Sequence, residues 1–413
     1  MRYSAFTLAK EGFSGHRNWP KLWRSPAPKS AYDAVIIGGG GHGLAAAYYL
    51  GKRFGITNVA VLEKHWIGGG NTGRNTTVMR SNYLQRESAA LYDTAIDMWR
   101  GLSRELNYNL MVSPRGLLHL AHSSHDMQEI GRRAHAMYMH GVDAELLGPA
   151  QVKEWIPFIR LNGRFPVMGA LLQRRGGTIR HDAVAWGLAR AADAMGIDII
   201  QNCEVTGFRV SNGAVVAVET AKGAITTRKI GIAAAAHSAE LAEMAGFRLP
   251  LEAVPLQALV SDPLKPVLNC VALSNTVHAY LSQSDKGELV IGGGTDPQIS
   301  WSQRGGFFEV ENMISAVLEL YPIFSKLRMM RQWAGTVDVT PDRSPLISKT
   351  PVGGMYVNCG WGTGGFKATP VGGRCLAHMM ANDGPDELAR PFAIDRFFTG
   401  ALIDEGSASA VAH

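Results

Sequence analysis

Three glycines at a fixed spacing are the first residues with chemistry to do. The tract Val35-Ile36-Ile37-Gly38-Gly39-Gly40-Gly41-His42-Gly43 contains the pattern G-x-G-x-x-G as Gly38, Gly40 and Gly43. Behind an apolar strand and ahead of a helix, such a turn cradles a dinucleotide pyrophosphate. Gly38 permits the tight turn, Gly40 lets the backbone approach the phosphates, and Gly43 lets the helix pack close to the strand. The helix start around Gly41 and His42 offers free N–H groups and the positive end of the helix dipole. The next strand runs into Glu63-Lys64, with Glu63 20 residues past Gly43. An acid there accepts hydrogen bonds from a ribose.

A fingerprint of this kind serves FAD and NAD alike, so the choice falls to two further segments. After Lys64 comes the polar loop Gly68-Gly69-Gly70-Asn71-Thr72-Gly73-Arg74-Asn75-Thr76-Thr77. An NAD enzyme more often continues directly into helix and strand. Through Gly73, Arg74, Asn75, Thr76 and Thr77 this loop can lie along a pyrophosphate, a ribityl chain and an isoalloxazine. Far away in sequence, Gly360-Trp361-Gly362-Thr363-Gly364-Gly365-Phe366-Lys367 makes a second glycine-rich turn before a helix. Its Gly362, Gly365 and Lys367 are cofactor candidates, as is Val205 at the head of a later strand. Two helix starts bracket a long cofactor, where one nicotinamide needs a single helix. The expected cofactor is FAD.

The elements that must hold these turns follow from periodicity and turn signals. Tyr32–Ile37 and Val59–Leu62 read as strands, with a helix over Ala45–Phe54 between them. Glu87–Leu106 places Leu91, Ala95, Met98, Trp99 and Leu102 on one helical face, and Met127–Met139 and Pro149–Trp155 are shorter helices. Asp182 is the expected N-cap of a helix that runs to Met195. Val205–Val210, Ala214–Thr220 and Ile225–Thr227 form hairpins, and Ile230–Ala235 a buried strand. Strands at Leu256–Ser261, His278–Ser282, Glu288–Gly292 and Trp333–Val339 accompany a helix at Glu309–Leu320. The end returns to strand, glycines and helix at Gly354–Asn358, Gly360–Gly365 and Val371–Asn382.

The expected fold class is α/β, with a glutathione-reductase-type, Rossmann-like FAD-binding domain. That domain is drawn from residues 31–80, 180–245 and 340–400. It is interleaved with a mostly antiparallel β-sheet substrate domain from residues 80–175 and 250–340. Residues 1–30 form a basic N-terminal arm and 401–413 a tail.

Of 413 residues, 46% are hydrophobic and 18% charged, an ordinary globular balance. No run reaches the ~18 consecutive apolar residues of a membrane span, so no membrane association is expected. The net charge of +6 is uneven, because Arg2, Lys10, Arg17, Lys21, Arg24 and Lys29 face Glu11 alone in the arm. The remaining chain is almost neutral and gives no reason to expect nucleic-acid binding. The arm weakly resembles a mitochondrial presequence, but Trp19-Pro20, Trp23, Pro26 and Pro28 suit an extended segment lying across a partner surface. Cys203, Cys270, Cys359 and Cys375 are far apart and form no CxxC pair, which points to a reducing compartment, the cytoplasm. No Ser-His-Asp spacing or metal-ligand cluster stands out, so neither hydrolysis nor metal catalysis is expected.

Taken together, the fingerprint, the polar loop and the C-terminal glycine turn resemble the D-amino-acid-oxidase and sarcosine-oxidase superfamily of flavoproteins. Four tracts narrow the resemblance to the β-subunit family of bacterial heterotetrameric sarcosine oxidases. They are Arg17-Asn18-Trp19; Asn71 through Arg80-Ser81-Asn82-Tyr83; Arg180-His181-Asp182-Ala183-Val184-Ala185-Trp186; and Tyr356-Val357-Asn358-Cys359-Gly360-Trp361. The resemblance extends over almost the whole chain, including the arm and Ala410–His413.

That resemblance implies an FAD- and FMN-dependent amine oxidoreductase that demethylates sarcosine to glycine and a one-carbon unit. The unit leaves as formaldehyde or passes to tetrahydrofolate on an α subunit, with α, γ and δ subunits as partners. It implies hydride transfer to a noncovalent FAD, electron passage to an FMN bound covalently through His181, and oxygen reduced to hydrogen peroxide. Arg80 and Lys367 are the cations it implies for the substrate carboxylate, Arg offering a bidentate fork. A neutral His181 suits attack on the flavin 8α-methyl carbon, and Arg180 beside it disfavours protonation. His278 and Tyr280, alternating on a strand, are weaker pocket candidates. Where the superfamily often has glycine, this chain has Ala233-Ala234-Ala235-Ala236-His237-Ser238. Monomeric relatives attach FAD to a cysteine, whereas the closer resemblance here implies no cysteinyl link through Cys359 or Cys375. The alternatives are a related dehydrogenase of dimethylglycine, glycine or proline, or a flavin-bearing electron-transfer subunit.

Overall fold

The computed structural model describes residues 4–19, 23–295 and 298–404. Arg2, Pro20, Lys21 and Ala410–His413 therefore lie outside the described residues.

Ala34–Ile37 and Val59–Leu62 are continuous apolar runs buried at every position, the pattern of strands covered on both faces. They sit inside a six-stranded sheet. Its order is Leu346–Lys349, Met355–Cys359, Ile230–Ile232, Ala34–Ile37, Val59–Leu62, Asp198–Ile200. All neighbours are parallel except the first pair, and Ile36 stands between Gly231 and Val61 in register. The pleat sends Ala34, Ile36, Val59 and Val61 to one core, where the helices Gly41–Phe54, His181–Ala194 and Thr369–Asn382 pack. Val35, Ile37, Ala60 and Leu62 point the other way, onto the three-stranded sheet Val205–Ser211, Ala214–Thr220, Gly223–Thr226. Each fully buried Leu or Ile of this layer contributes about 1.5–3 kcal/mol.

A second sheet of eight strands lies over the first layer. Its order is Met329–Val339, Glu252–Pro263, Glu288–Thr295, Ala279–Gln283, Val271–Ser274, Leu117–Ala121, Gly169–Gln173, Glu145–Leu147. It is antiparallel apart from the Val271–Ser274 and Leu117–Ala121 pair. One face, with Leu118, Leu120, Ala272 and Leu281, is closed by the helix Phe307–Leu320. The other face, with Leu117, Leu273 and Tyr280, is turned toward the first layer.

Three expectations need correction. The helix Arg86–Glu105, assigned from sequence to the sheet layer, instead packs Leu91, Tyr92, Ala95, Ile96, Trp99 and Leu102 into the first core. Its periodicity revealed an apolar face but not the partner of that face. The helix expected to be capped by Asp182 begins at His181, with Arg180 in the cap position and Asp182 in its first turn. The strand expected to reach Ala235 ends at Ile232, because Ala235 takes φ +50° and opens a short 3-10 turn.

The arm also differs from expectation. Ala5–Phe13 is a helix capped by Ser4. Further on, Arg24 binds Asp193 at 2.9 Å and Lys29 binds Asp198 at 3.2 Å. This part of the arm thus straps the edge of its own first layer.

Candidate active site

Between the two layers runs a cavity of about 810 Å³, large enough for a cofactor. At one end stands the glycine fingerprint. Gly38 holds φ +111°, and a Cβ there would fall 2.4 Å from the Ala233 carbonyl oxygen. A Cβ at Gly43 would lie 2.0 Å from the Gly38 carbonyl oxygen, so any side chain would push the helix off the strand. Gly40, the N-cap, supplies no side chain to the helix start, and the Gly41 amide donates to Thr72 Oγ1 at 2.9 Å. The Glu63 carboxylate accepts from the Gly39 and His65 amides at 2.8 and 2.9 Å, which anchors the acid beside the turn. This cradle without side chains, open helix start and fixed acid fit the ADP half of FAD.

His42 joins this turn to the second one. Its Nε2 lies 2.8 Å from the Gly365 carbonyl oxygen and its ring 4.6 Å from that of Trp361. Burial pushes the imidazole down to about 4, opposed by the Gly365 bond. It is therefore neutral at physiological pH, with Nε2–H as the donor.

The polar loop is bolted to the upper sheet. Asn71 Nδ2 donates to the Thr336 carbonyl and Trp333 Nε1 to the Arg74 carbonyl, both at 2.6 Å. Arg74 Nη1 turns back to the carbonyls of Gly69 and Gly70. Thr77, at φ +67°, is held by its amide's bond to Asn75 Oδ1.

At the far end two cations converge on the cavity wall. Arg80 is 4% and Lys367 6% exposed, and both line the cavity. The Arg80 guanidinium donates to Asn82 Oδ1 at 2.7 Å and lies over the Tyr83 ring. Lys367 Nζ donates to the Thr363 carbonyl at 3.0 Å, and Trp99 Nε1 donates to the Lys367 carbonyl at 2.8 Å. Burial, then the charge of Arg80, holds the ammonium well below the ordinary lysine range. Such a site is short of negative charge and suits a small anionic group. Tyr280 completes this end, its hydroxyl 2.9 Å from Thr76 Oγ1.

Of the residues singled out from sequence, Gly38, Gly40, Gly41, His42, Glu63, Lys64, Arg74, Asn75, Thr76, Thr77, Arg80, Val205, Gly362, Gly365 and Lys367 all line this cavity. Gly43 and Gly73 are not among its lining residues. Gly43 serves helix packing, and the Gly73 amide closes a turn onto the Gly68 carbonyl at 2.8 Å. His278 is not there either, since it sits exposed in a turn at φ +49° just before the strand that carries Tyr280. Cys359 and Cys375 are fully buried and outside the lining. Ala233–Ala236, whose alanines were expected to restrict the approach to the cofactor slightly, line the cavity, and so do Asp338, Asn358, Trp361 and Trp301, which were not read as cofactor residues. Among them only Trp361 carried a local signal, its place between Gly360 and Gly362.

His181 also lies outside this cavity, at the first position of its helix. The residue is half-buried, and its enclosed Nδ1 has no hydrogen-bond partner in the structure. Burial lowers its pKa, Asp182 opposes that, and Arg180 and Lys286 add to it. Arg180, expected from sequence to be the cause, is a lesser one because it is paired with Asp182 at 2.7 Å. Two residues before His181, the Ile179 amide donates to the carbonyl of the cavity-lining Thr77 at 2.9 Å.

Among the described residues no cluster of potential metal ligands occurs, and no helix is long and apolar enough to cross a membrane.

The layered fold and the glycine cradle define an FAD-dependent enzyme. The chain belongs to the FAD dependent oxidoreductase family, whose pattern matches residues 33–379. It is 55% identical to sarcosine oxidase subunit beta of Rhodobacter capsulatus, over 100% of both chains. With sarcosine oxidase subunit beta of an Arthrobacter species it shares 54% identity, over 95% of this chain and 97% of that one. Among solved structures, L-proline dehydrogenase from P. horikoshii superposes with a TM-score of 0.86 at 25% identity, covering 91% of this chain and 100% of that chain.

Proposed function

We propose that this chain oxidises the N-methyl carbon of sarcosine, yielding glycine and a one-carbon unit. The observation that carries this reading is the buried pair Arg80 and Lys367, which faces one end of a flavin-sized cavity. Its likeness to sarcosine oxidase subunit beta from two bacteria supports the choice of amine. When bound, FAD supplies a two-electron acceptor.

The chain's own residues bind and orient. Arg80, steadied by Asn82 and Tyr83, grips the substrate carboxylate, and Lys367 completes the clamp from the second glycine turn. Two cations beside one carboxylate leave a net positive site, which disfavours the substrate's ammonium form. The amine is thus held neutral, as its oxidation requires, and the buried wall excludes water from it. Tyr280, fixed by Thr76, limits the room around the N-methyl group.

The second part of the proposal concerns His181. A half-buried imidazole whose enclosed Nδ1 has no partner, and whose pKa is lowered toward the neutral form, suits covalent attachment of FMN, apart from the FAD cavity. Electrons would leave by that route to oxygen, giving hydrogen peroxide. The one-carbon unit would be released as formaldehyde or taken up by tetrahydrofolate on an α subunit of a heterotetramer with γ and δ subunits. The cytoplasm is the proposed compartment.

The test is anaerobic flavin reduction by the purified complex with sarcosine, dimethylglycine, glycine and proline in parallel. Sarcosine should reduce the flavin fastest; no reduction by sarcosine rejects the substrate. Acid precipitation should leave FAD in the supernatant and FMN on a peptide containing His181. Release of all flavin rejects the attachment.

A further inference from the structure

The segment 338–342 carries two buried carboxylates with opposite surroundings. Asp342 is bidentate with Arg396, at 2.8 and 3.0 Å, and that guanidinium helps hold its carboxyl below the usual range against burial. Asp338 is 2% exposed, lines the FAD cavity, and pairs with no cation among the described residues. Its partners are amides: Oδ2 accepts from Gly360 N–H at 2.5 Å, and the Trp361 amide adds to the hold. Val339 pairs with Trp361 in an isolated bridge, so the end of this strand and the second glycine turn form one unit. Burial, only partly offset by these amides, pushes the Asp338 carboxyl up to about 6.

A paired carboxylate such as Asp342 needs no further explanation, because its ion pair accounts for its burial. A lone carboxylate in the wall of a cofactor cavity acts on whatever charge develops there. We propose that Asp338 is a positioning residue that locks the Gly360–Trp361 turn and, through its charge, lowers the reduction potential of the bound FAD. Two-electron reduction adds negative charge to the flavin, and a carboxylate in the same low-dielectric cavity opposes it. The inference needs only the bound FAD that family membership establishes, not sarcosine as substrate.

The same cavity is also lined by the cations Lys64, Arg74, Arg80 and Lys367 and by the acids Glu63 and Glu204, all unchanged in the variants below. Behind Asp338 lies the Cys359 thiol, held neutral by burial. Across the turn is His42, neutral above about 4. At the rim, His237 Nδ1 lies 2.9 Å from Glu240 Oε2.

The test is the FAD midpoint potential of the purified protein, wild type and Asp338→Asn, measured from pH 5 to pH 8 by dye equilibration. The amide oxygen still accepts from Gly360, so FAD is retained while the charge is lost. The variant should have the higher potential, and the gap should widen as pH rises through about 6, where the wild-type carboxyl ionises. The same widening should persist in a His237→Gln background, which removes the rim pair. Asp338→Ala, which removes the acceptor as well, should also weaken FAD retention. An unchanged potential in Asp338→Asn, or a gap that does not depend on pH, overturns the inference.

Discussion

At the fingerprint end of the cavity, what faces a ligand is backbone amides and missing side chains. At the Arg80 end it is buried charge carried by segments far apart in sequence. Gly38, Gly40 and Gly43 fall within one turn, and their work is done by local geometry: a Cβ at Gly43 has no room beside the Gly38 carbonyl. Arg80, just past the polar loop, and Lys367, from the C-terminal turn, each need a separate support, Asn82 and Tyr83 for one and Thr363 for the other. Holding a cofactor is a backbone task in this arrangement, and under the proposed function choosing a substrate is a task for side chains that only the tertiary fold brings together. His42 couples the two by bonding the second turn from the first.

Substitutions should separate these ends. The largest effect is expected from Gly43→Val, which forces a side chain against backbone that cannot yield. Overpacking of this kind costs up to about 3 kcal/mol or more, so FAD should be lost on gel filtration, with at least ~100-fold weaker rebinding. Next comes Arg80→Ala. It should retain stoichiometric FAD yet raise the KM for sarcosine about 10–100-fold, the weight of a charge-assisted hydrogen bond. FAD loss in that variant would erase the distinction between the ends.

A third test uses the coupling between the two cations. Arg80 helps to depress the Lys367 ammonium. Removing that charge in Arg80→Met favours protonation, so the Lys367 pKa should rise. Binding of a simple carboxylate inhibitor, titrated by flavin absorbance, should then be weaker but persist to higher pH than in wild type. The smallest effect is expected from Tyr280→Phe, which deletes one hydrogen bond to Thr76 worth about 0.5–1.5 kcal/mol. A change of ~2–10-fold in kcat/KM with FAD binding intact would match that role.

The same contrast explains what the sequence disclosed. The fingerprint was legible because strand, glycines, helix and acid are contiguous and each has a local reason for its type. Lys367 was marked only by its place after the second glycine turn, and the pairing of Arg80 and Lys367 as a carboxylate clamp was reached through a family resemblance, not through spacing. Asp338 sits in the unremarkable run Thr336-Val337-Asp338-Val339, where alternation marks a strand but not which face meets the cavity. The helix Arg86–Glu105 shows the same limit at a larger scale, its apolar face clear and its partner layer not. The strand Leu117–Ala121 was missed because Leu-Leu-His-Leu-Ala, buried at every position, has no alternation to read. Placing His278 on a strand failed for a different reason. Period-two reading ran one residue too far, into a turn where the backbone reverses at positive φ.

The division of labour between the two ends is most directly tested by anaerobic reduction of the flavin in Arg80→Ala at fixed sarcosine concentration, with FAD content measured in the same sample. Full FAD occupancy with bleaching slowed at least ~10-fold relative to wild type is the expected result. Bleaching at the wild-type rate, or loss of FAD in parallel with activity, would contradict it.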